Sequence, residues 1–344
     1  MTTNQQRTFL GLIACLISLQ SSGQANATTE PDSTLRGQAF TDPDFVVGMP
    51  EKWRKQHITY DKAVKQADLV VSFGQQTYPA LKGIIAEYAR KNNLKILVQS
   101  GTCGISAGKL LHKTIDAGVF CCPPGKNDRL PNLEFHTIAI SPLAVIVHKD
   151  NPVDNISIDE ARLIFRGKIR NWSEVDNNNN FNKRIVSLGR LHCKKRPGHW
   201  TLLLKDQTLF GPKLKEVGVI PDLVSKVGMQ VNTISMETPF MVETYSKQQN
   251  VKLLKINNHS VTDIDYVASG QYPLYRTYSI TTWKNFPEKR KLTLSLIQNL
   301  KQHIEDNYSK YNFVPVSKLK EAGWKFRKDE LIGEPNRDGL AQPR

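Results

Sequence analysis

The residues of this 344-residue chain with the most chemistry to offer are its cysteines and one cationic stretch. Cys103, Cys121, Cys122 and Cys193 could form disulfides, hold a soft metal or take part in redox exchange. Vicinal Cys121 and Cys122 join each other only under strain, so bonds to Cys103 and Cys193 are the expected staples. None of the four has the Cys-x-x-Cys spacing of a dithiol redox motif. His192, Cys193 and His199 lie close together, and thiolate with imidazole suits copper, zinc or haem iron. That spacing fits no standard metal motif, so a metal site ranks behind disulfides. Lys194, Lys195 and Arg196 form a basic cluster that could attract an anion. The bland reading of such a charge run is a solvated loop. No Gly-x-Ser-x-Gly elbow, His-Glu-x-x-His helix or P-loop occurs, so neither catalysis nor a cofactor is expected.

Composition places these groups in a globular protein, with 39% apolar and 23% charged residues and length enough for two or three lobes. Forty-seven basic against 32 acidic side chains give +15, which favours an anionic partner, either nucleic acid or a small anion. The N-terminus separates the two. Arg7 is the sole charged residue of the first 27, and the apolar run from Phe9 to Leu19 is too short to span a bilayer. Ala25-Asn26-Ala27 then supplies a small-x-small cleavage pattern. Residues 1–27 are therefore expected to be a signal peptide and the mature protein periplasmic. Leu12-Ile13-Ala14-Cys15 looks like a bacterial lipobox, which makes a lipoprotein anchored at Cys15 the second reading. Export argues against nucleic acid, and an oxidising compartment favours pairing of the four remaining cysteines.

The elements that must position these residues follow from periodicity. Residues 28–66, with Pro31, Pro43 and Pro50, read as an extension or strap. Leu69–Phe73 is a buried-strand pattern, and a helix opens at Thr77-Tyr78-Pro79 with Leu81, Ile84, Ile85 and Tyr88 on one face. A strand at Lys95–Val98 and a second helix after Ser100–Gly104 complete βαβ units, which imply a parallel sheet. Leu143–Val147 is a further strand, and Ser157 and Glu160 form a capping box. Asn177–Asn180 reads as a surface turn, Arg184–Leu188 as a strand and Gly189–Trp200 as a basic loop. An amphipathic helix is expected near Leu292–Ile304, and residues beyond about Arg327 as a loose tail.

Four stretches together resemble the periplasmic phosphate-binding proteins that serve ABC importers. They are Ser72–Pro79, Ser100–Gly104, the run from Ala144 to Pro152 continuing through Ile164–Trp172, and Ser269–Arg276. The third includes a Phe-x-Gly-x-Ile-x-x-Trp pattern at Phe165, Gly167, Ile169 and Trp172, and the match spans roughly residues 67–316. The resemblance implies an α/β, two-lobed periplasmic binding protein fold with two crossover strands and a ligand held between the lobes. It places Gln76, Thr77, Thr102, Cys103, Gly104, Cys121 and Arg190 in ligand loops. Helix N-termini facing such a cleft can bind an oxyanion through unpaired N–H groups. Two departures stand out. The donor turn that follows the family's arginine is absent after Arg190, and Cys121 stands where the family has a carboxylate that accepts a proton from the ligand.

The expected organisation is residues 67–141 and 276–328 in one lobe, 142–275 in the other, and 329–344 as tail. The expected function is capture of a small, phosphate-like oxyanion by a monomer, for delivery to an ABC-type permease or a sensor. A receptor of the same fold for a metal ion or metal complex is the alternative.

Overall fold

The computed structural model describes residues 32–61, 64, 66–175, 180–191, 196–246 and 249–335. The expected signal peptide, Cys15, most of the asparagine turn, and His192, Cys193, Lys194 and Lys195 lie outside them.

A short apolar run makes the first strand, β1 (Leu69–Gly74), which is buried along its whole length. Such a strand must be covered on both faces. It pairs in parallel with β2 (Ile96–Gly101) and β3 (Ala117–Phe120). The connecting helices are Tyr78–Lys91, opened by Pro79 and burying Leu81, Ile84, Ile85 and Tyr88, and Cys103–Leu111. β4 (Leu133–Pro142) leads through Leu143 into β5 (Ala144–His148), which starts a second sheet. After β6 (Asn155–Ile156), Ser157 caps the helix Ile158–Phe165, accepting from the Glu160 N–H at 3.1 Å while Glu160 accepts from the Ser157 N–H at 2.8 Å. There follow β7 (Val186–Gly189), β8 (Lys215–Glu216), β9 (Thr233–Glu237), β10 (Val251–Leu253) and β11 (Lys255–Ile256). The chain returns along β12 (Tyr275–Trp283), and β13 (Val314–Pro315), β14 (Lys325–Arg327) and β15 (Glu330–Gly333) complete it.

Two sheets result, β13-β4-β12-β3-β1-β2 and β10-β5-β9-β7-β8. Each has its own buried apolar cluster, so this is the two-lobed binding-protein architecture. The outgoing and returning chains run side by side: Tyr275 pairs with Pro142, the Leu143 N–H donates to the Leu274 carbonyl at 2.9 Å, and the Tyr272 hydroxyl donates to the Leu143 carbonyl at 2.9 Å. The expectation of a parallel sheet holds for β1 to β3 and around β7, but β4, β12 and β13 pair antiparallel. One crossover leaves the lobe and the other re-enters it, so adjacent crossovers must run in opposite directions. The helix expected at Leu292–Ile304 extends over Pro287–Tyr311.

The two ends of the described chain are tied to this frame. The Gly37 N–H donates to the Thr201 carbonyl at 2.7 Å in the second lobe, and the Val47 N–H to the Arg129 carbonyl at 2.8 Å in the first. Residues 34–61 thus strap across both. The tail expectation needs correction, because β14 and β15 form a hairpin and Glu330 reaches Arg129, Nη2 to Oε1 2.5 Å, with both side chains largely buried. Glu334 in turn accepts from Arg36 and from the Tyr275 hydroxyl. A buried guanidinium needs a carboxylate, and the end of the chain supplies it. Glu330→Ala leaves the Arg129 charge buried without it and is expected to lower unfolding free energy by about 3 kcal/mol or more. Urea denaturation checks this, and an unchanged midpoint would show the hairpin to be dispensable.

Candidate functional site

The strand ends of the first lobe and the loop after β7 converge on a cavity of about 20 Å³. Gln75, Gln76, Thr102, Cys103 and Cys121 reach it from the first lobe. Arg190 and His199 reach it from the second, and Arg276 from the return crossover. Among the described residues that line it there are two guanidiniums and no carboxylate. Thr102 also caps the helix Cys103–Leu111, its hydroxyl accepting from the Ile105 N–H at 3.3 Å, so that helix points its N-terminal end, with its positive partial charge, toward the cavity.

A carboxylate stands directly behind the lining. Glu237, at the end of β9, is fully buried. It accepts both from Gln76 Nε2, at 2.8 and 3.0 Å, and from the Thr238 N–H at 2.8 Å. Arg190 Nη1 lies 3.8 Å from its other oxygen, while Arg190 Nη2 donates to Gln75 Oε1 at 2.7 Å. Both glutamine contacts run from a loop of the first lobe to the second. They draw the cleft shut around the cavity.

The cysteines gather here, though not as disulfides. The Cys103 and Cys121 sulfurs are 3.3 Å apart, a hydrogen-bond separation rather than the roughly 2.05 Å of a bond. The hydrogen bond with Cys103 and burial push the Cys121 thiol up to about 12, so it stays protonated at neutral pH. Arg276 Nη1 approaches the Cys121 sulfur at 3.7 Å. Buried Cys122 is likewise raised, with the Cys103 contact as the leading cause, and takes a contact from Arg196 Nη1 at 3.4 Å. The expected staples to Cys193 fall outside the described residues.

Of the ligand residues expected from sequence, Gln76, Thr102, Cys103, Cys121 and Arg190 line the cavity, whereas Thr77 and Gly104 do not. The Thr77 hydroxyl is turned back onto the Gly74 carbonyl at 3.1 Å, and Gly104 is an exposed residue of the first helical turn. Arg196, expected as a solvated anion attractor, is instead held by Asp128 at 2.7 Å over the ring of Phe120. His199, considered as a metal ligand, accepts the Trp200 N–H on Nδ1 at 2.6 Å, which leaves the Nε2 proton of the neutral ring as a donor. Among the described residues no group of three or more His, Cys, Asp or Glu is placed to hold a metal ion, and His192 and Cys193, the other two residues of the metal reading, lie outside them. Sequence reasoning missed Gln75 and Arg276 as lining residues, though both lie in the stretches that carried the resemblance. It also missed Glu237, a single acid at the end of a strand that no pattern flagged.

Comparison with known proteins agrees with this architecture. Residues 61–290 match the PBP superfamily domain, which is more than half of the chain. Over 142 residues the chain is 25% identical to the phosphate-binding protein PstS 2 of Streptococcus pneumoniae, covering 40% of this chain and 46% of that protein, so the match takes in about half of the relative's length. An ABC-type phosphate transport receptor from Vibrio cholerae superposes with a TM-score of 0.58 at 17% identity, covering 72% of this chain and 99% of the other. A proposed phosphate ABC transporter substrate-binding protein from Clostridium perfringens, solved with bound phosphate, superposes with a TM-score of 0.61 at 17% identity and the same coverage. Two lobes joined by paired crossovers, with a cationic cavity between them and this match across most of both lobes, make the chain a member of the PBP superfamily.

Proposed function

We propose that the protein is an exported receptor that captures a small oxyanion of the phosphate type between its lobes and hands it to an ABC permease or a sensor. The observation that carries this reading is the cavity itself, where Arg190, Arg276 and a helix N-terminus converge and no carboxylate lines the wall among the described residues. Buried guanidiniums and helix ends are the groups that replace water around an oxyanion. At about 20 Å³ the cavity holds about one water, less than a tetrahedral oxyanion needs, so the ligand enters only as the lobes part. The phosphate receptors that share the fold and the basic excess of +15 support the same class of ligand. Residues 1–27 read as an export signal, which supports a periplasmic receptor. Among the described residues no helix is long and apolar enough to cross a membrane.

Isothermal titration of the mature chain with phosphate, sulfate and arsenate tests the proposal, and absence of heat with all three rejects it. Arg190→Ala is expected to weaken binding by at least about 30-fold, since truncating a buried charged partner costs on the order of 2 kcal/mol or more. An unchanged affinity for that variant would remove Arg190 from the site.

Export also bears on the sulfurs. Closing the 3.3 Å gap between Cys103 and Cys121 with a disulfide-bearing oxidant forms one S–S bond. The two thiols lose two electrons and two protons to the oxidant, which is reduced to its own thiols. We propose this bond for protein recovered from its native compartment. Peptide mapping without reduction should find Cys103 and Cys121 crosslinked, and two titratable thiols at these positions would reject it.

A further inference from the structure

We infer that Gln76 sets the specificity of the cavity by accepting a hydrogen bond from the bound anion, so that the site takes oxyanions bearing an O–H or N–H and disfavours those bearing neither. The inference rests on the oxyanion reading and adds to it a chemical requirement on the ligand.

Gln76 is 2% exposed and lines the cavity. Its amide could in principle face either way, and at such a position the network decides. Here the decision is clear, because Nε2 lies 2.8 and 3.0 Å from the two carboxylate oxygens of Glu237. The reversed amide would set a carbonyl oxygen against that carboxylate with no proton between them. Glu237 is itself fixed by the Thr238 N–H and faces Arg190. The carboxylate therefore locks the amide.

What the lock leaves over is Gln76 Oε1, a buried acceptor with no hydrogen-bond partner among the described residues. Native structures seldom leave such an atom unanswered, and one beside a ligand cavity points to a donor on the ligand. The other lining groups do not duplicate it. Arg190 and Arg276 are donors only, and neutral His199 offers Nε2–H because its Nδ1 accepts from Trp200. Gln75 Oε1 is taken by Arg190. Cys121, where the resemblance expects a carboxylate acceptor, offers only sulfur, a weak acceptor whether as thiol or as disulfide. Hydrogen phosphate can donate its hydroxyl to Gln76 Oε1. Sulfate can only press an oxygen against an oxygen. A site built to receive a ligand hydrogen rejects an analogue lacking it far more strongly than a site judging size alone.

Two pairs of probes read this out by isothermal titration of the mature chain. Phosphate and sulfate differ in the hydroxyl, and phosphate is expected to bind at least about 100-fold more tightly. Sulfamate and methanesulfonate match in shape and charge and differ only in N–H against C–H. Sulfamate is expected to bind at least about 10-fold more tightly. Gln76→Met keeps the length and removes the acceptor, and should bring both ratios to within about threefold. Glu237→Gln releases the lock, lets the amide turn, and should shrink both ratios with Gln76 still in place. Melting temperatures check that each variant is folded, and the second variant serves if the first is not. Equal binding within each pair by the unaltered protein, or ratios that survive both substitutions, overturns the role of Gln76 while the oxyanion reading stands. No binding of any of the four probes overturns both.

Discussion

A single buried carboxylate holds the site together. Glu237 has no exposed surface, and removing such a charge from water is costly unless hydrogen bonds and an opposite charge replace the solvent. It finds them in three places: its neighbour's backbone at Thr238, the Arg190 guanidinium of its own lobe and the Gln76 amide of the other. Each also constrains the cavity. Arg190 is held with its second Nη on Gln75, the loop after β1 is drawn across the cleft, and the Gln76 amide is fixed in one direction. The crossovers at Leu143 and Leu274 allow the lobes to meet in this way, since the two strands brace each other where the chain passes between sheets. A charge placed behind the cavity wall thereby orders the wall without taking a place in it.

How much of this could be read in advance depended on the range of the interactions. The first βαβ unit was legible because its signals are local: an apolar run, a Pro in the first turn and apolar residues at Leu81, Ile84, Ile85 and Tyr88 that turn out buried. The Ser157 and Glu160 capping box was legible for the same reason. The mixed character of the first sheet was not, since β4 and β12 are far apart in sequence and only their pairing fixes their relative direction. Glu237 was invisible because nothing in the surrounding Thr233–Glu237 strand distinguishes a satisfied buried acid from an exposed one. The tail failed similarly: its polar composition reads as solvated until Arg129 and Arg36 are found waiting for Glu330 and Glu334.

The ligand loops fall between these cases. Five of the residues that the resemblance assigned to ligand loops line the cavity, and their backbone positions follow from the fold. Thr77 and Gly104, assigned to the same loops, do not line it. The Thr77 hydroxyl closes its own turn on the Gly74 carbonyl, and Gly104 has no side chain to send. Fold-level likeness carries backbone positions further than it carries contacts.

The charge balance gains a different meaning from the same comparison. An excess of +15 invites the inference that the whole surface seeks anions, yet several cations are interior and already engaged. Arg129 answers Glu330, Arg162 gives its Nε to the Leu203 carbonyl at 3.0 Å, and Arg196 answers Asp128. These three are engaged with partners of the protein's own. Arg190 and Arg276 are buried as well, and they line the cavity between the lobes. For Arg190 the nearest carboxylate is itself shared with an amide from across the cleft, at a separation too long for a direct hydrogen bond. That guanidinium also donates to Gln75 from the loop of the other lobe, so it is held at the cavity wall from both sides of the cleft. The count of basic residues measures none of this; it depends on which of them are placed at the cavity.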